Sequence, residues 1–277
     1  METISLTESN EVVELKKFAG GECHVKFLKT FEEENKIRIM TRLNSSDDLM
    51  NLCLAVDALR NMYVNYIEVF FPYIPYARQD RVMVQGEPLS VKVFASIINN
   101  LNLNKVIVFD AHSDVSVALL NNCQNIPNYN MVKYFLSRLN LQDFVLVSPD
   151  IGAYKKVDKL ATVINYKGQI ATGIKVRDLA TGQIIKSDVN TDDLSRKACI
   201  VVDDICDGGR TFIELASALK ERNAGDLYFM ASHGIFSYNA LEKLKDAGYM
   251  NVCSSNSIST IAESSFYMHY NLFDHEV

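Results

Sequence analysis

The stretch Val201-Val202-Asp203-Asp204-Ile205-Cys206-Asp207-Gly208-Gly209-Arg210-Thr211 decides the reading of this chain. A short β-branched run without polar alternation reads as a strand buried on both faces. It ends in acids and glycines and opens into a helical pattern, Thr211 to Arg222, that places Leu215, Ala218 and Leu219 on one face. Strand, tight loop and helix in that order make an anion site: glycines let backbone N–H groups approach a phosphate, the helix N-terminus adds partial positive charge, and Thr211 can donate a hydroxyl. Asp203 and Asp204, at the carboxyl end of the strand, suit ribose hydroxyls or a hydrated Mg²⁺. The plainer alternative makes Asp207 the N-cap of the helix, which accounts for one acid of three.

Working outward, Tyr66 to Phe71, Lys105 to Phe109, Phe144 to Val147, Ala198 to Val202 and Leu227 to Ala231 read as further buried parallel strands. Helical patterns alternate with them: Leu49 to Met62 with Leu52, Val56 and Leu59 inward, and Ser90 to Asn99 with Val93, Phe94 and Ile97 inward. Alternation of this kind predicts a doubly wound α/β sheet. The pattern occurs twice, on either side of the polar stretch Asn121 to Asn130, so two domains are expected, 1–130 and 131–277. Gly168 to Asp188 is polar and breaks the rhythm, as a β-hairpin or a loop over a site would.

With 277 residues, 48% of them hydrophobic, the chain buries substantial cores, and disorder is excluded. The net charge of −6 argues against a nucleic-acid surface. No apolar run is long enough for a membrane span, and the start of the chain lacks the pattern of a secretory signal, so a cytoplasmic protein is expected. Six cysteines without a C-x-x-C pair read as reduced thiols in apolar surroundings, not as a metal knuckle.

Three further motifs carry chemistry. In Pro75-Tyr76-Ala77-Arg78-Gln79-Asp80-Arg81, two guanidiniums around a short turn make a fork for phosphate oxygens and Gln79 can bond a base, although the same charges can simply neutralise one another at the surface. In Asp110-Ala111-His112-Ser113-Asp114, a histidine between two acids at a strand's carboxyl end is placed like a ligand. In Lys175-Val176-Arg177, strand alternation puts both cations on one face, where they can reach a single anionic transition state, unless the strand is an ordinary exposed one.

Together these motifs resemble the ribose-phosphate diphosphokinases, also called phosphoribosyl-pyrophosphate synthetases, from Phe18 onward. The resemblance implies two type I phosphoribosyltransferase domains, each a mostly parallel sheet flanked by helices, the first on the ATP side and the second on the ribose-phosphate side. It implies that Asp203, Asp204, Asp207, Gly208, Gly209, Arg210 and Thr211 bind the ribose and its 5-phosphate, and that Arg78, Gln79, Asp80 and Arg81, the A-R-Q-D-R signature, bind ATP. His112 and the Asp150 of Ser148-Pro149-Asp150 stand where the family binds Mg²⁺, and Lys175 and Arg177 where it has its catalytic K-x-R pair. Phe18-Ala19-Gly20-Gly21-Glu22 lies where the family has F-S-D-G-E, so Phe18 and Glu22 are expected to contact adenine, across a subunit boundary in a dimer or hexamer. The implied reaction moves the β,γ-diphosphoryl group of ATP to an anomeric hydroxyl and releases AMP, with Mg²⁺ as cofactor. A phosphoribosyltransferase, or a catalytically silent regulatory relative, is the alternative class.

The chain departs from the family in two places. Upstream of Phe18 the usual first strand-helix unit is missing or reduced, and the carboxyl end is trimmed. In the phosphate loop the family's D-T-G-G-T reads Asp207-Gly208-Gly209-Arg210-Thr211, which loses a hydroxyl and gains a guanidinium. An open loop with extra positive charge suits a bridging diphosphate, so ADP-ribose is the slightly favoured acceptor, ahead of ribose 5-phosphate.

Overall fold

The computed structural model describes residues 1–7, 9–177 and 184–275, with the side chains of 175–177 and 184–186 outside that set. It divides into two units, Met1–Pro127 and Asn128–Val277. The described cysteines are all free thiols, three buried and three half-buried.

The first unit carries β1 (Glu2–Ser5), β2 (Val13–Lys17), β3 (Cys23–Phe27), β4 (Lys36–Met40), α1 (Ser46–Asn61), β5 (Tyr66–Phe71), α2 (Ser90–Asn100), β6 (Lys105–Phe109), α3 (Asp114–Leu119) and β7 (Cys123–Ile126). Its sheet has the order β1-β4-β5-β6-β7, with every pair parallel, while β2 and β3 form a separate antiparallel hairpin. The first strand is therefore present, with Ile4 opposite Ile39, and no described helix lies between it and Val13. Helix α1 begins at Ser45, whose hydroxyl accepts from Asp48 N while the Asp48 carboxylate accepts from Ser45 N, a reciprocal cap.

Two expectations change here. The strand order never reverses, so this sheet is not doubly wound; α1 and α2 pack into one core with Ile37, Ile39, Val69, Phe71 and Val108. Alternation of strands and helices in a sequence does not encode the direction of each crossover. Helix α2 buries Val91, Phe94, Ala95 and Ile98 and turns Val93 and Ile97 outward, because the face at positions 91, 94, 95 and 98 follows the helical period more closely.

The second unit carries α4 (Tyr129–Leu139), β8 (Phe144–Ser148), α5 (Ile151–Val163), β9 (Ile170–Arg177), β10 (Ile184–Val189), β11 (Ala198–Cys206), α6 (Arg210–Glu221), β12 (Leu227–Gly234), α7 (Ala240–Asp246), β13 (Tyr249–Ser255), β14 (Tyr267–Tyr270) and α8 (Leu272–His275). Its sheet runs β10-β9-β8-β11-β12-β13-β14, parallel except for the β9/β10 pair. From β8 the chain steps to β9 on one side; from β11 it steps to β12 on the other. This sheet is doubly wound, and its order reverses between β8 and β11. Helix α6 packs Phe212, Leu215, Ala216, Ala218 and Leu219 into a core with Val145, Val201 and Phe229. The polar segment that breaks the strand-helix rhythm supplies the antiparallel pair β9 and β10, and residues 178–183 between them lie outside the described set.

The first sheet buries an ion pair. Glu68 on β5 is 2% exposed, lies opposite Arg38 of β4, and accepts from its guanidinium and from Tyr66 Oη at 3.1 Å. Removing one partner strands a charge in the sheet, which costs about 3–5 kcal/mol. Glu68→Ala should therefore lower the unfolding midpoint in urea sharply, and replacing both partners with apolar residues, Arg38→Met with Glu68→Leu, should restore most of the loss. A single variant as stable as the unaltered protein would show that the pair is solvated.

Candidate functional site

The apolar run of β11 does not stop at Val202. β12 accompanies it further, Asp203 opposite Ala231 and Ile205 opposite His233, so the strand extends to Cys206 and carries both acids to the end of the sheet. The chain then turns through Asp207, Gly208 and Gly209 into α6. Gly209 is the helix N-cap with φ 76°, a conformation glycine reaches without strain, and it offers the helix no side-chain cap of its own. Asp207 is thus not the cap; its Oδ1 accepts from Ser237 Oγ at 2.5 Å. The first-turn N–H groups and the partial positive charge of a twelve-residue helix converge on this loop. Arg210 stands 82% exposed and donates through Nε to Glu214 Oε1 at 2.7 Å, one turn along the helix and outside the loop.

Three carboxylates meet where the strand order reverses. Asp150, at the end of β8, caps α5 by accepting from Ala153 N at 3.0 Å, and Ser148 Oγ steadies the same corner by donating to Asp150 O. Asp204 is buried and receives Lys156 Nζ at 3.1 Å. Asp203 accepts from Asp204 N at 2.9 Å; burial first, then the charges of Asp204 and Asp150, push its carboxyl well above the usual range. Burial, with Asp203 and Asp207 adding to it, pushes the Cys206 thiol up, which keeps it from serving as a thiolate nucleophile.

A divalent cation is tested by these donors. The oxygens are hard, as Mg²⁺ requires, and the mutual repulsion at Asp203 is what a cation relieves. Among the described residues no group of three or more His, Cys, Asp or Glu is arranged to hold a metal, so an all-protein cage is absent; Mg²⁺ fits only with water and ligand oxygens completing its shell.

Lys175 and Arg177 lie on β9, their backbone opposite Ser187 and Ile184 of β10; their side chains are outside the described set. The strand passes the Asp150 corner at its middle, because a β-carbon on Gly173 would meet Pro149 O at 2.4 Å.

In the first unit the loop after β5 is pinned by the buried Ala77 and by Gln79, whose Oε1 accepts from Ser90 Oγ at 2.5 Å at the start of α2. Asp80 accepts from Arg81 Nε at 3.3 Å. Burial would raise its carboxyl, but hydrogen bonds from Ser113 and Arg81 and the neighbouring charges of Arg81 and His112 hold it below the usual range. Arg78, Gln79, Asp80, Arg81 and His112 line one cavity of about 390 Å³, so two motifs about thirty residues apart share it. Phe18 and Glu22 do not line it. They form the tip of the β2/β3 hairpin, where Phe18 N donates to Glu22 O, and the Phe18 ring is 53% exposed beside His24. His112 belongs to the first unit and Asp150 to the second.

Sequence reasoning missed Ser237 and Lys156, which hold Asp207 and Asp204 from 30 and 48 residues away. The one local signal was the polar run Ser232-His233 closing an otherwise apolar strand.

The raised Asp203 carboxyl has a measurable consequence. A carboxyl whose folded pKa lies above its ordinary value destabilises the fold above that pKa, and the penalty fades as pH falls through it. Asp203→Asn keeps the acceptor for Asp204 N and removes the charge. The variant should melt higher than the unaltered protein at pH 7.5, by about 2–4 °C per kcal/mol relieved, and the difference should narrow toward pH 4. Equal melting temperatures at pH 7.5 would show that Asp203 is not repelled.

Comparison with known proteins agrees with this architecture. Residues 4–101 match the model of the N-terminal domain of ribose phosphate pyrophosphokinase, and residues 183–265 match the phosphoribosyl synthetase-associated domain. A ribose-phosphate pyrophosphokinase of Mycoplasma pneumoniae is 30% identical over 238 residues, covering 83% of this chain and 70% of that protein. One of Vibrio cholerae is 29% identical over 250 residues, covering 89% and 79%. The crystal structure of phosphoribosylpyrophosphate synthetase from Mycobacterium smegmatis superposes with a TM-score of 0.82 at 24% identity, covering 95% of this chain and 87% of that one, a likeness of fold. With two family models on its two units and a relative at 30% identity over most of both lengths, the chain belongs to the ribose-phosphate pyrophosphokinase family and is a transferase of that type.

Proposed function

We propose that the protein transfers the β,γ-diphosphoryl group of ATP to the anomeric hydroxyl of ribose 5-phosphate. The observation that carries this reading is the glycine loop at the N-terminus of α6, beside three carboxylates at the reversal of strand order. A terminal phosphate suits the loop from Asp207 to Thr211, and the ribose hydroxyls suit Asp203 and Asp204. The cavity of Arg78, Gln79, Asp80, Arg81 and His112 is the ATP side: guanidiniums for phosphate oxygens, and the hairpin of Phe18 and Glu22 for adenine in a neighbouring copy of a homo-oligomer. In the reaction the anomeric oxygen attacks the β-phosphorus, the bond from that phosphorus to the α,β-bridging oxygen breaks, AMP leaves with that oxygen, and the hydroxyl proton is released. Lys175 and Arg177 neutralise charge on the transferring group, so catalysis is positioning and electrostatics. His112 in the first unit and Asp150 in the second would each help to hold Mg²⁺ together with water, and the metal would supply charge neutralisation at the phosphates.

ADP-ribose as acceptor rested on Gly208 and Arg210. The pairing of Arg210 with Glu214 takes one support away, and the relatives' names speak of ribose phosphate. Gly208 remains in its favour: a β-carbon there would meet nothing closer than 3.6 Å, so packing does not demand the glycine. In the first unit and the second alike, no described helix is long and apolar enough to cross a membrane.

Incubation with ATP, Mg²⁺ and ribose 5-phosphate should yield AMP in step with consumption of the sugar, read by chromatography. Formation of ADP would exclude diphosphoryl transfer. In the same assay Lys175→Ala should lower kcat about a hundredfold or more with little change in KM, as expected for a group that acts mainly in the transition state. An unchanged kcat would reduce β9 to a purely structural strand.

A further inference from the structure

The turn after β12 carries an aromatic ring that this mechanism does not use. Phe236, Tyr238 and Asn239 have φ values of 49°, 55° and 60°, a conformation that crowds the β-carbon of any L-residue. Such backbone persists only where its surroundings hold it, and it gathers at ligand sites. Here Ser237, in the middle of the turn, is tied to Asp207 of the phosphate loop. The turn holds the Tyr238 ring 82% exposed, with Cδ2 3.6 Å from where a β-carbon on Gly208 would sit and Ser237 Oγ 3.8 Å from the same point. Among the described residues the Tyr238 ring and hydroxyl have no ring or hydrogen-bond partner.

We infer that Tyr238 is a stacking platform for a flat group that the acceptor carries beyond its 5-phosphate, so that the site takes nucleoside diphosphate riboses as well as the bare sugar phosphate. This rests on the reading of residues 207–211 as the acceptor's phosphate loop. With the phosphate against the α6 N-terminus and the sugar toward Asp203, a substituent on that phosphate finds no side chain at 208 and passes between Ser237 and the ring. A tyrosine face takes up a base at that distance without needing to recognise its edges. Ribose 5-phosphate ends at the phosphate and has no flat group to offer. Arg210 is not required, which agrees with its engagement by Glu214.

Calorimetric titration of the intact protein with ADP-ribose and with ribose 5-phosphate tests this without depending on turnover. Tyr238→Gly, which a left-handed backbone accommodates best, should weaken ADP-ribose binding at least ten times more than it weakens ribose 5-phosphate binding, about the effect of one lost base stack. Tyr238→Phe should keep most of the affinity. Equal losses for both ligands, or the same loss in Tyr238→Phe as in Tyr238→Gly, would overturn the platform in favour of a structural or hydroxyl role. Binding of ribose 5-phosphate but not ADP-ribose by the unaltered protein would overturn the platform and leave the loop assignment standing. Binding of neither would overturn both.

Discussion

The second unit depends on one topological constraint: β8 and β11 are neighbours, yet the chain leaves them in opposite directions. Two parallel strands that diverge in this way cannot have their carboxyl ends covered by the same connection, so a crevice is built into the sheet. Three acids and a helix N-terminus gather there. Asp150 closes the end of β8 as the cap of α5, Asp203 and Asp204 close the end of β11, and α6 points its N-terminus at the same place. The fold supplies the concentration of negative and positive partial charge side by side, and the sugar phosphate we propose would match both halves of it. The first sheet has no such reversal, and its cavity is made by a loop after β5 and the residues after β6.

What was legible in the sequence follows from burial. Tyr66–Phe71 and Lys105–Phe109 could be bounded to the residue because a strand covered on both faces is a nearly continuous apolar run, broken within β5 by Glu68. β11 ran past its expected end because acids at 203 and 204 look like a loop when their partner strand is out of view; it is the register with β12 that keeps them extended. The glycine turn into α6 and the arginine loop were legible as features because glycine spacing and clustered guanidiniums are local signals. The connection between the arginine loop and His112 was not, since it arises from the adjacency of β5 and β6. Nor were the helpers Ser237 and Lys156, which a one-dimensional pattern has no reason to single out.

Charges near the loop sort themselves by reach. Arg210 is nearest in sequence but satisfied by Glu214 on its own helix, an exposed pair worth little energetically that nevertheless fixes where the guanidinium points. Lys156 is far in sequence but reaches the buried carboxylate of Asp204, while the adjacent Asp203 has its carboxyl pushed up by burial and by its acidic neighbours.

The close approach of Gly173 to the carbonyl of Pro149 has a mechanical side. β9 is held at this point, with Thr172 N donating to Asn190 Oδ1 at 2.6 Å just before the contact. Lys175 therefore follows by two residues a backbone contact with the corner that orients Asp150, and a side chain larger than hydrogen at 173 would force that corner and the strand apart.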